Sequence, residues 1–299
     1  MACTKPKRAW EYGQTENGKK KLVFKRPEGY TGEAINIPCG QCVSCKMAYA
    51  REWATRIVHQ AQTSKISSFI TLTYNEEHLP DDGSVSKEEV RLFIKNLRQK
   101  LWRHYQVKVK YYAAGEYGSG KGKRPHYHII IFGWDFPDRT FWDITDSGSQ
   151  LYRSKFLEGL WTKGFSSIGD VTLQSAAYVA RYTMKKQKDP SEYIDKETGV
   201  ILEKEFNMMS QGIGKEWWQK YKSDTYKDYL NVDYNKVRVP RYYDKQLELE
   251  EPERLEEIKE KRVAKAMELL DENSLVRRKQ KDKVKQTQNN MLHRSLSYD

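Results

Sequence analysis

Two histidines that flank a tyrosine are the residues of this chain best suited to chemistry. His126 and His128 open the run His126-Tyr127-His128-Ile129-Ile130-Ile131-Phe132, whose apolar and β-branched residues predict a strand. Side chains two residues apart on a strand point to the same face, so both imidazoles project together. Glu116, in a predicted glycine-rich turn upstream, adds a carboxylate. The three residues predict a divalent-metal site. Two structural histidines are the alternative.

A pair of tyrosines lies on a helix predicted over 173–187. Tyr178 and Tyr182 are four residues apart, so they share a helix face and lie about 6 Å apart along the axis. Lys185 and Lys186 follow Tyr182 by three and four residues. A cation at this position favours the phenolate or a bound phosphate. The alternative is an amphipathic helix that buries both tyrosines.

Three of the four cysteines, Cys39, Cys42 and Cys45, form a cluster. A C-x2-C spacing can present two thiolates to one Zn²⁺, but a closed structural site needs four ligands. Cys3 or His59 is expected to complete such a zinc site. An iron–sulfur cluster and simple buried thiols are the alternatives.

The elements that must position these residues follow from the hydrophobic pattern. Ser86, with Glu89 three residues on, is predicted to cap a helix. The segments 107–114 and 126–132 are expected to form a long hairpin that brings Glu116 near His126. In chain order the prediction is a helix over 46–63, a strand over 69–74, the helix from 86, strands over 107–114, 126–132 and 164–171, and the helix over 173–187.

The charge of the 299-residue chain is strongly positive, with 53 Lys and Arg against 41 Asp and Glu. Residues 246–299 carry as many acidic as basic residues, so the whole excess lies in residues 1–245. A basic, aromatic-rich protein suits nucleic acid, because cations neutralise phosphates and rings stack on bases. A basic protein without a polyanionic partner is the alternative. No apolar run is long enough to span a bilayer and no signal peptide is evident, so a soluble intracellular protein is expected.

Composition divides the chain into four predicted segments. Residues 1–66 form an N-terminal segment with the cysteines and a helix, and 67–190 form the core that carries the histidines and tyrosines. Residues 191–245 are expected to be an accessory insertion and a small helical element, and 246–299 a charged helix over 247–270 followed by a mostly disordered basic tail.

Three motifs in order resemble those of the HUH endonucleases that start rolling-circle replication. They are Phe69-Ile70-Thr71-Leu72-Thr73-Tyr74, then Gly115-Glu116-Tyr117-Gly118 with Pro125-His126-Tyr127-His128, then Tyr178-Val179-Ala180-Arg181-Tyr182. Further motifs are similar to those of one branch, the replication-initiation proteins of gokushovirus-type microviruses, which are single-stranded-DNA bacteriophages. These are Cys39 to Cys45 with Trp53 and Arg56, Glu76-Glu77-His78-Leu79-Pro80, Met209-Ser210-Gln211-Gly212-Ile213-Gly214 and Pro240-Arg241-Tyr242-Tyr243. The resemblance covers roughly residues 36–245.

The resemblance implies an α+β fold, with a central antiparallel sheet that is flanked by helices on one face, an HUH/RRM-like core. It implies Mg²⁺ or Mn²⁺ on His126, His128 and Glu116, and Tyr178 and Tyr182 as alternating nucleophiles that form a 5′-phosphotyrosine and leave a 3′-OH. Lys185 or Lys186 would position the phosphate. The expected DNA-binding residues are Lys121, Lys123, Arg124 and Arg181.

The expected partners are single-stranded DNA of a viral origin and a host polymerase, in the cytoplasm of a bacterial host. A host helicase is expected too, because the chain has no phosphate-binding loop of its own. Two other functions are alternatives: a non-catalytic, zinc-containing DNA-binding protein, and a metal-dependent hydrolytic nuclease without a covalent intermediate.

Overall fold

The computed structural model describes residues 3–16, 20–118, 124–145, 147–185, 193–194, 199–232, 234–269 and 271–291, without the side chains of 182–185 and 290. The described residues form two compact units. One unit joins the N-terminal stretch up to Ala48 with the C-terminal stretch from Glu260, and the other runs from Tyr49 to Lys259. Within the described chain, no helix has both the length and the apolar character needed to cross a bilayer.

The larger unit is built on a seven-stranded, wholly antiparallel sheet. Its strands in chain order are β4 (Ser67–Thr73), β5 (Lys110–Tyr117), β6 (Pro125–Phe132), β7 (Thr140–Ile144), β8 (Gln150–Arg153), β9 (Ser166–Asp170) and β10 (Phe206–Met209). For continuity of numbering, β1 to β3 belong to the smaller unit. The spatial order is β10-β5-β6-β4-β9-β8-β7. The strand with the two histidines, β6, therefore lies inside the sheet, between β5 and β4.

Helices cover both faces of this sheet, so the expectation of helices on one face was wrong. Every residue of β6 is buried. Tyr127, Ile129 and Ile131 pack with α2 (Lys87–Tyr105), whereas Ile130 and Phe132 pack with α1 (Val43–Thr63) and α4 (Leu173–Lys185). The reason is the unbroken apolar run of β6, which is the pattern of a strand buried on both sides. His126 and His128 thus face the side of α4.

The helix α2 begins and packs as its sequence predicts. The hydroxyl of Ser86 accepts a hydrogen bond from the backbone N–H of Glu89, so the cap is confirmed. The buried stripe of the helix is Val90, Phe93, Ile94, Leu97 and Leu101. This stripe fixes the face of the sheet opposite to the histidines, and it leaves the other face to α1 and α4.

Two parts of the sheet differ from the sequence prediction. The strand predicted over 107–114 is β5, which begins later and continues through Glu116 to Tyr117, so the predicted glycine-rich turn was wrong for 115–117. The strands β7 and β8 were not predicted. Four of the five residues of β7 are exposed, so the strand lacks the alternation of buried and exposed residues that marks a strand in sequence. A short helix, α3 (Lys155–Glu158), follows β8.

Gly115 is required by packing in β5 rather than by a turn. A Cβ at this position would lie 2.7 Å from two ring atoms of Phe206 on β10. We expect Gly115→Ala to lower the free energy of unfolding by about 1–3 kcal/mol, because the buried ring must shift. Urea denaturation measures the change. Phe206→Leu should recover part of the loss in the Gly115→Ala background, whereas simple additivity of the two losses would contradict this explanation.

The rest of the larger unit forms a second layer of packing beside α1. It contains α5 (Lys215–Tyr221), the hairpin β11 (Tyr229–Val232) with β12 (Asn235–Arg238), α6 (Arg241–Glu250) and the first half of α7 (Pro252–Glu268). Trp217 and Trp218 are buried in it, as predicted for the accessory element. The single helix predicted over 247–270 is interrupted at Glu251, because a residue before proline disfavours helical torsion angles.

The smaller unit contains a three-stranded sheet and a C-terminal helix. The sheet, in the order β2-β1-β3, is formed by β1 (Lys7–Gln14), β2 (Lys20–Val23) and β3 (Ile35–Ile37). Leu275–Asn290 is a helix, α8, so the prediction of a mostly disordered tail was wrong for this segment. Its Asp282 is buried and accepts a hydrogen bond of 2.6 Å from the hydroxyl of Thr4. A contact so distant in sequence is invisible to composition.

Candidate active site

The pairing of β5 with β6 brings the predicted metal ligands together. Glu116 lies directly opposite His126 in the ladder. One carboxylate oxygen, Oε1 of Glu116, lies 2.9 Å from Nε2 of His126 and 3.0 Å from Nε2 of His128. All three side chains are buried, and their ligand atoms lie within 4.8 Å of one another. The structure therefore gathers the three residues that the sequence predicted for one site.

Outer contacts fix the orientation of both imidazoles. Nδ1 of His126 donates to the backbone carbonyl of Arg124 at 3.1 Å, and that carbonyl also accepts the N–H of Gly118. Nδ1 of His128 lies 3.0 Å from the hydroxyl of Thr71 on β4. Partners of this kind on the second nitrogen are what orients a histidine whose first nitrogen binds a metal. In a neutral His126, the Nε2 that faces Glu116 carries a lone pair.

The donor set fits a small divalent cation. Burial raises the pKa of Glu116, but the two imidazoles lower it well below its usual value, so the carboxyl is ionised. A carboxylate oxygen and a nitrogen lone pair repel each other unless a proton or a cation lies between them. Donors about 3 Å apart also match the edge of an octahedron with bonds of about 2.1 Å. Glu116, His126 and His128 are thus suited to hold such an ion.

The helix α4 brings Tyr178 to the same site. The helix starts where Thr172 and Ser175 exchange hydrogen bonds between hydroxyl and backbone N–H. Two turns later, the hydroxyl of Tyr178 lies 3.5 Å from Nε2 of His128, and the two rings meet edge to face. The guanidinium of Arg181 lies over the Tyr178 ring, 5.7 Å from its centre. A phenol and a cation therefore border the predicted metal ligands.

Several predicted site residues are beyond what the structure describes. Tyr182 and Lys185 lie on the described backbone of α4, but their side chains lie outside the described residues. Lys121, Lys123 and Lys186 are outside it entirely. Arg124 is described, and its guanidinium forms a 2.7 Å ion pair with Glu76. A DNA phosphate at Arg124 would compete with this exposed carboxylate.

Motifs that flank the core meet in a separate structural cluster. Arg56 on α1 donates twice to the carbonyl of Ile213, and its guanidinium lies between the rings of Trp53 and Tyr242, about 4 Å from each centre. Gly214 packs so closely on Tyr243 that a Cβ there would lie 2.6 Å from the phenol oxygen. These residues join α1, the loop after β10 and α6. Their contacts are those of a packing cluster, not of a catalytic site.

Sequence reasoning missed two neighbours of His128. Thr71 was quoted only as part of a strand motif, and Phe69, whose ring stacks on His128 with centres 5.6 Å apart, was read in the same way. Both lie on β4, and Thr71 pairs directly with His128 in the ladder. The available signal was a threonine within an apolar strand, but its partner depends on a strand register that the sequence does not give.

The cysteines converge in the smaller unit, with Cys3 as the fourth member of the cluster. His59, the other expected fourth ligand, belongs to a different environment. Its ring is buried, accepts or donates a 2.8 Å hydrogen bond with the Tyr243 hydroxyl, and stacks on Trp217. Burial lowers the pKa of His59 to about 3, which keeps the ring neutral. The expectation of His59 as a zinc ligand was wrong, because this aromatic packing occupies it.

Comparison with known proteins gives several matches. A profile of the replication-associated protein ORF2 family matches residues 67–187. The chain is 36% identical to the replication-associated protein VP4 of Bdellovibrio phage phiMH2K over 244 residues, which is 80% of this chain and 76% of that protein. It is 34% identical to the replication-associated protein ORF2 of Spiroplasma virus 4 over 253 residues, 81% of this chain and 77% of that protein.

A further match is shorter. The chain is 33% identical over 154 residues to the replication-associated protein ORF4 of Chlamydia phage 1, which covers 50% of this chain and 38% of that protein. No solved structure matches. The profile match spans β4 through α4, and so includes Glu116, both histidines and Tyr178.

Proposed function

The chain belongs to the family of replication-associated proteins of microvirus-type phages and shares its role in the initiation of replication, and we propose that it does so as a nicking endonuclease. In this proposal it cleaves single-stranded origin DNA by tyrosine transesterification. The products are a 5′-phosphotyrosine and a free 3′-OH that a polymerase can extend in rolling-circle replication.

The observation that carries the proposal is the position of Tyr178. Its hydroxyl lies 3.5 Å from His128, on the edge of the ring that also contacts Glu116. A phosphodiester held at this edge would have a nucleophile and a cluster of metal-ligating atoms beside it. Geometry of this kind places the reacting atoms together before the reaction begins. A purely structural tyrosine would have no need of this neighbourhood.

The proposed step exchanges one phosphodiester for another. The oxygen of Tyr178 loses its proton and forms a bond to phosphorus, and the bond from phosphorus to the 3′ oxygen breaks. The leaving oxygen takes up a proton and becomes the 3′-OH. A divalent ion, Mg²⁺ or Mn²⁺, on Glu116, His126 and His128 would supply the positive charge that offsets the phosphate and orients it for in-line attack. Arg181, which lies over the Tyr178 ring, adds positive charge on the helix side.

Two tyrosines on one helix suit a second strand transfer. Tyr182 follows Tyr178 by one turn of α4, so the proposal gives it the alternate role: it attacks a regenerated origin while Tyr178 is still esterified. Unit-length release and circularisation need this second cleavage. Lys185 or Lys186 is proposed to position the phosphate, and Lys121, Lys123 and Arg124 to contact the DNA backbone.

The proposed partners follow from this chemistry. They are single-stranded viral origin DNA, a polymerase that extends the 3′-OH and a helicase, both of the host, with the bacterial cytoplasm as the place of action. The excess of positive charge in residues 1–245 supports a polyanionic partner.

One assay separates the proposal from its two alternatives. The protein is incubated with end-labelled single-stranded origin DNA and Mn²⁺ and is then denatured. A transesterase leaves label covalently on the protein. Free labelled fragments with no adduct would indicate a hydrolase, and intact DNA would indicate a binding protein, so either outcome would contradict the proposal.

Thr71 is expected to support metal binding through His128. Thr71→Val keeps the side-chain shape but removes the hydroxyl that lies 3.0 Å from Nδ1. Loss of such a partner typically costs 10–100-fold in metal affinity, so we expect a shift of about this size in the Mn²⁺ concentration that gives half-maximal nicking. Thr73→Val is the matched control, since its hydroxyl bonds to the carbonyl of Phe165. Equal shifts in both variants would argue against a role of Thr71.

A further inference from the structure

The smaller unit contains four thiols that converge without forming a disulfide. Sγ of Cys3 lies 3.6 Å from Sγ of Cys39 and 3.9 Å from Sγ of Cys42. The sulfur of Cys45 joins them, and all four atoms lie within 4.8 Å of one another. Disulfide sulfurs are about 2.05 Å apart, so these distances describe separate thiols. The four residues will be called the cysteine cluster.

The spacing within the cysteine cluster is that of a single-ion site. Zn²⁺ binds thiolates at about 2.3 Å in a tetrahedron, so its four sulfurs lie about 3.8 Å apart. Both measured distances from Cys3 are close to this value. An iron–sulfur cluster would push its ligand sulfurs apart by the width of the inorganic core, which these separations do not accommodate.

The backbone around the cysteine cluster supports negatively charged sulfur. The N–H of Cys39 donates to Sγ of Cys3, and the N–H of Cys42 donates to Sγ of Cys39, both at 3.3 Å. Gly40, between them, has a φ of +75°, and a Cβ there would meet no atom within 4 Å. The glycine therefore serves the left-handed turn alone, and this turn presents Cys39 and Cys42 to one point.

We propose that Cys3, Cys39, Cys42 and Cys45 bind one structural Zn²⁺, and that this ion fastens the N-terminus of the chain to the start of α1. Cys3 comes from the N-terminal segment, Cys39 and Cys42 from the turn, and Cys45 from the first turn of α1. An ion held by all of them replaces the core that so small a unit lacks. The site is separate from the proposed catalytic ligands, because no histidine or carboxylate takes part in it.

The ion has a second expected effect, on α8. The residues next to Cys3, Thr4 and Lys5, both contact Asp282 of α8, Thr4 through a 2.6 Å hydrogen bond and Lys5 through a 3.5 Å ion pair. Fixing Cys3 fixes these contacts as well. Removal of zinc is therefore expected to expose α8 to proteases, in addition to freeing the thiols.

The test uses the full-length protein and counts metal. All four cysteines of the chain belong to the cysteine cluster, so thiol reagents report on this site alone. Elemental analysis of the purified protein should give one zinc per chain, and the same value in His126→Ala/His128→Ala, which lacks the proposed catalytic ligands. Cys3→Ser should lose most of its zinc, while Gln41→Ala, an exposed position between Cys39 and Cys42, should keep it.

A spectroscopic measurement keeps the proposal testable if Cys3→Ser does not fold. Wild-type protein reconstituted with Co²⁺ should show the intense visible absorption of tetrahedral cobalt thiolate, and titration with a mercurial should release the metal when four equivalents per chain have been added. Zinc-free protein with four reactive thiols would overturn the proposal, and so would iron with sulfide in place of zinc. Full zinc in a folded Cys3→Ser variant would remove Cys3 from the site.

Discussion

Replacing both tyrosines of α4 by phenylalanine is expected to abolish the covalent adduct between protein and DNA. The double variant Tyr178→Phe/Tyr182→Phe removes two hydroxyls and leaves both rings to pack. Loss of a covalent nucleophile typically lowers turnover by several orders of magnitude, and we expect at least about a 10³-fold loss of adduct formation. The rate of adduct formation on labelled single-stranded origin DNA is the measurement. Metal binding should be unchanged, because neither tyrosine is a proposed ligand.

Tyr112→Phe is the matched control for this result. Tyr112 is fully buried in the same apolar cluster as Tyr178, and its hydroxyl has no hydrogen-bond partner within the described part of the chain. Removing this hydroxyl should leave adduct formation at the wild-type level. An adduct of undiminished amount in the double tyrosine variant would place the nucleophile elsewhere.

Removal of both imidazoles is expected to have an effect of similar size. His126→Ala/His128→Ala leaves Glu116 as the one remaining proposed ligand. A catalytic metal contributes several kcal/mol of charge stabilisation, and each 1.36 kcal/mol is a factor of ten, so nicking should fall by about 10³-fold or more. High Mn²⁺ should not restore it. His104→Ala, at an exposed position on α2, should behave as wild type.

A folding control is needed for the histidine variant. Glu116 is only 2% exposed, and without its imidazole partners its charge would be buried and unpaired. Breaking a buried pair in this way costs about 3–5 kcal/mol of stability. The triple variant that adds Glu116→Gln removes the charge and should regain part of the stability, but no activity. Metal-dependent nicking in either folded variant would refute the assignment of the ligands.

The catalytic elements could be predicted because their signals are local. His126 and His128 lie on one strand, Glu116 lies ten residues away across a hairpin, and two tyrosines on one helix need only helical periodicity. The hairpin register then put Glu116 opposite His126, as expected. What periodicity did not show is that β5 continues as a strand through Glu116.

Features that depend on distant contacts could not be predicted. The pairing of Thr71 with His128 joins two strands that are far apart in sequence, and a register of this kind is not encoded in either strand alone. The order of α8 rests on the contact between Asp282 and Thr4, at opposite ends of the chain. The helices on both faces were foreshadowed by the unbroken run from Ile129 to Ile131, whose meaning became clear only with the sheet order.

The most direct test identifies the residue that carries the DNA. Trypsin separates the two tyrosines, because cleavage after Lys163, Arg181 and Lys185 gives one peptide with Tyr178 alone and another with Tyr182 alone. The wild-type adduct is formed with Mn²⁺, digested with nuclease and trypsin, and mapped by mass spectrometry. We predict a phosphonucleotide on Tyr178, with Tyr182 modified when Tyr178 is replaced by phenylalanine. A phosphonucleotide on any residue outside these two peptides, or no covalent adduct at all, would contradict the proposed mechanism.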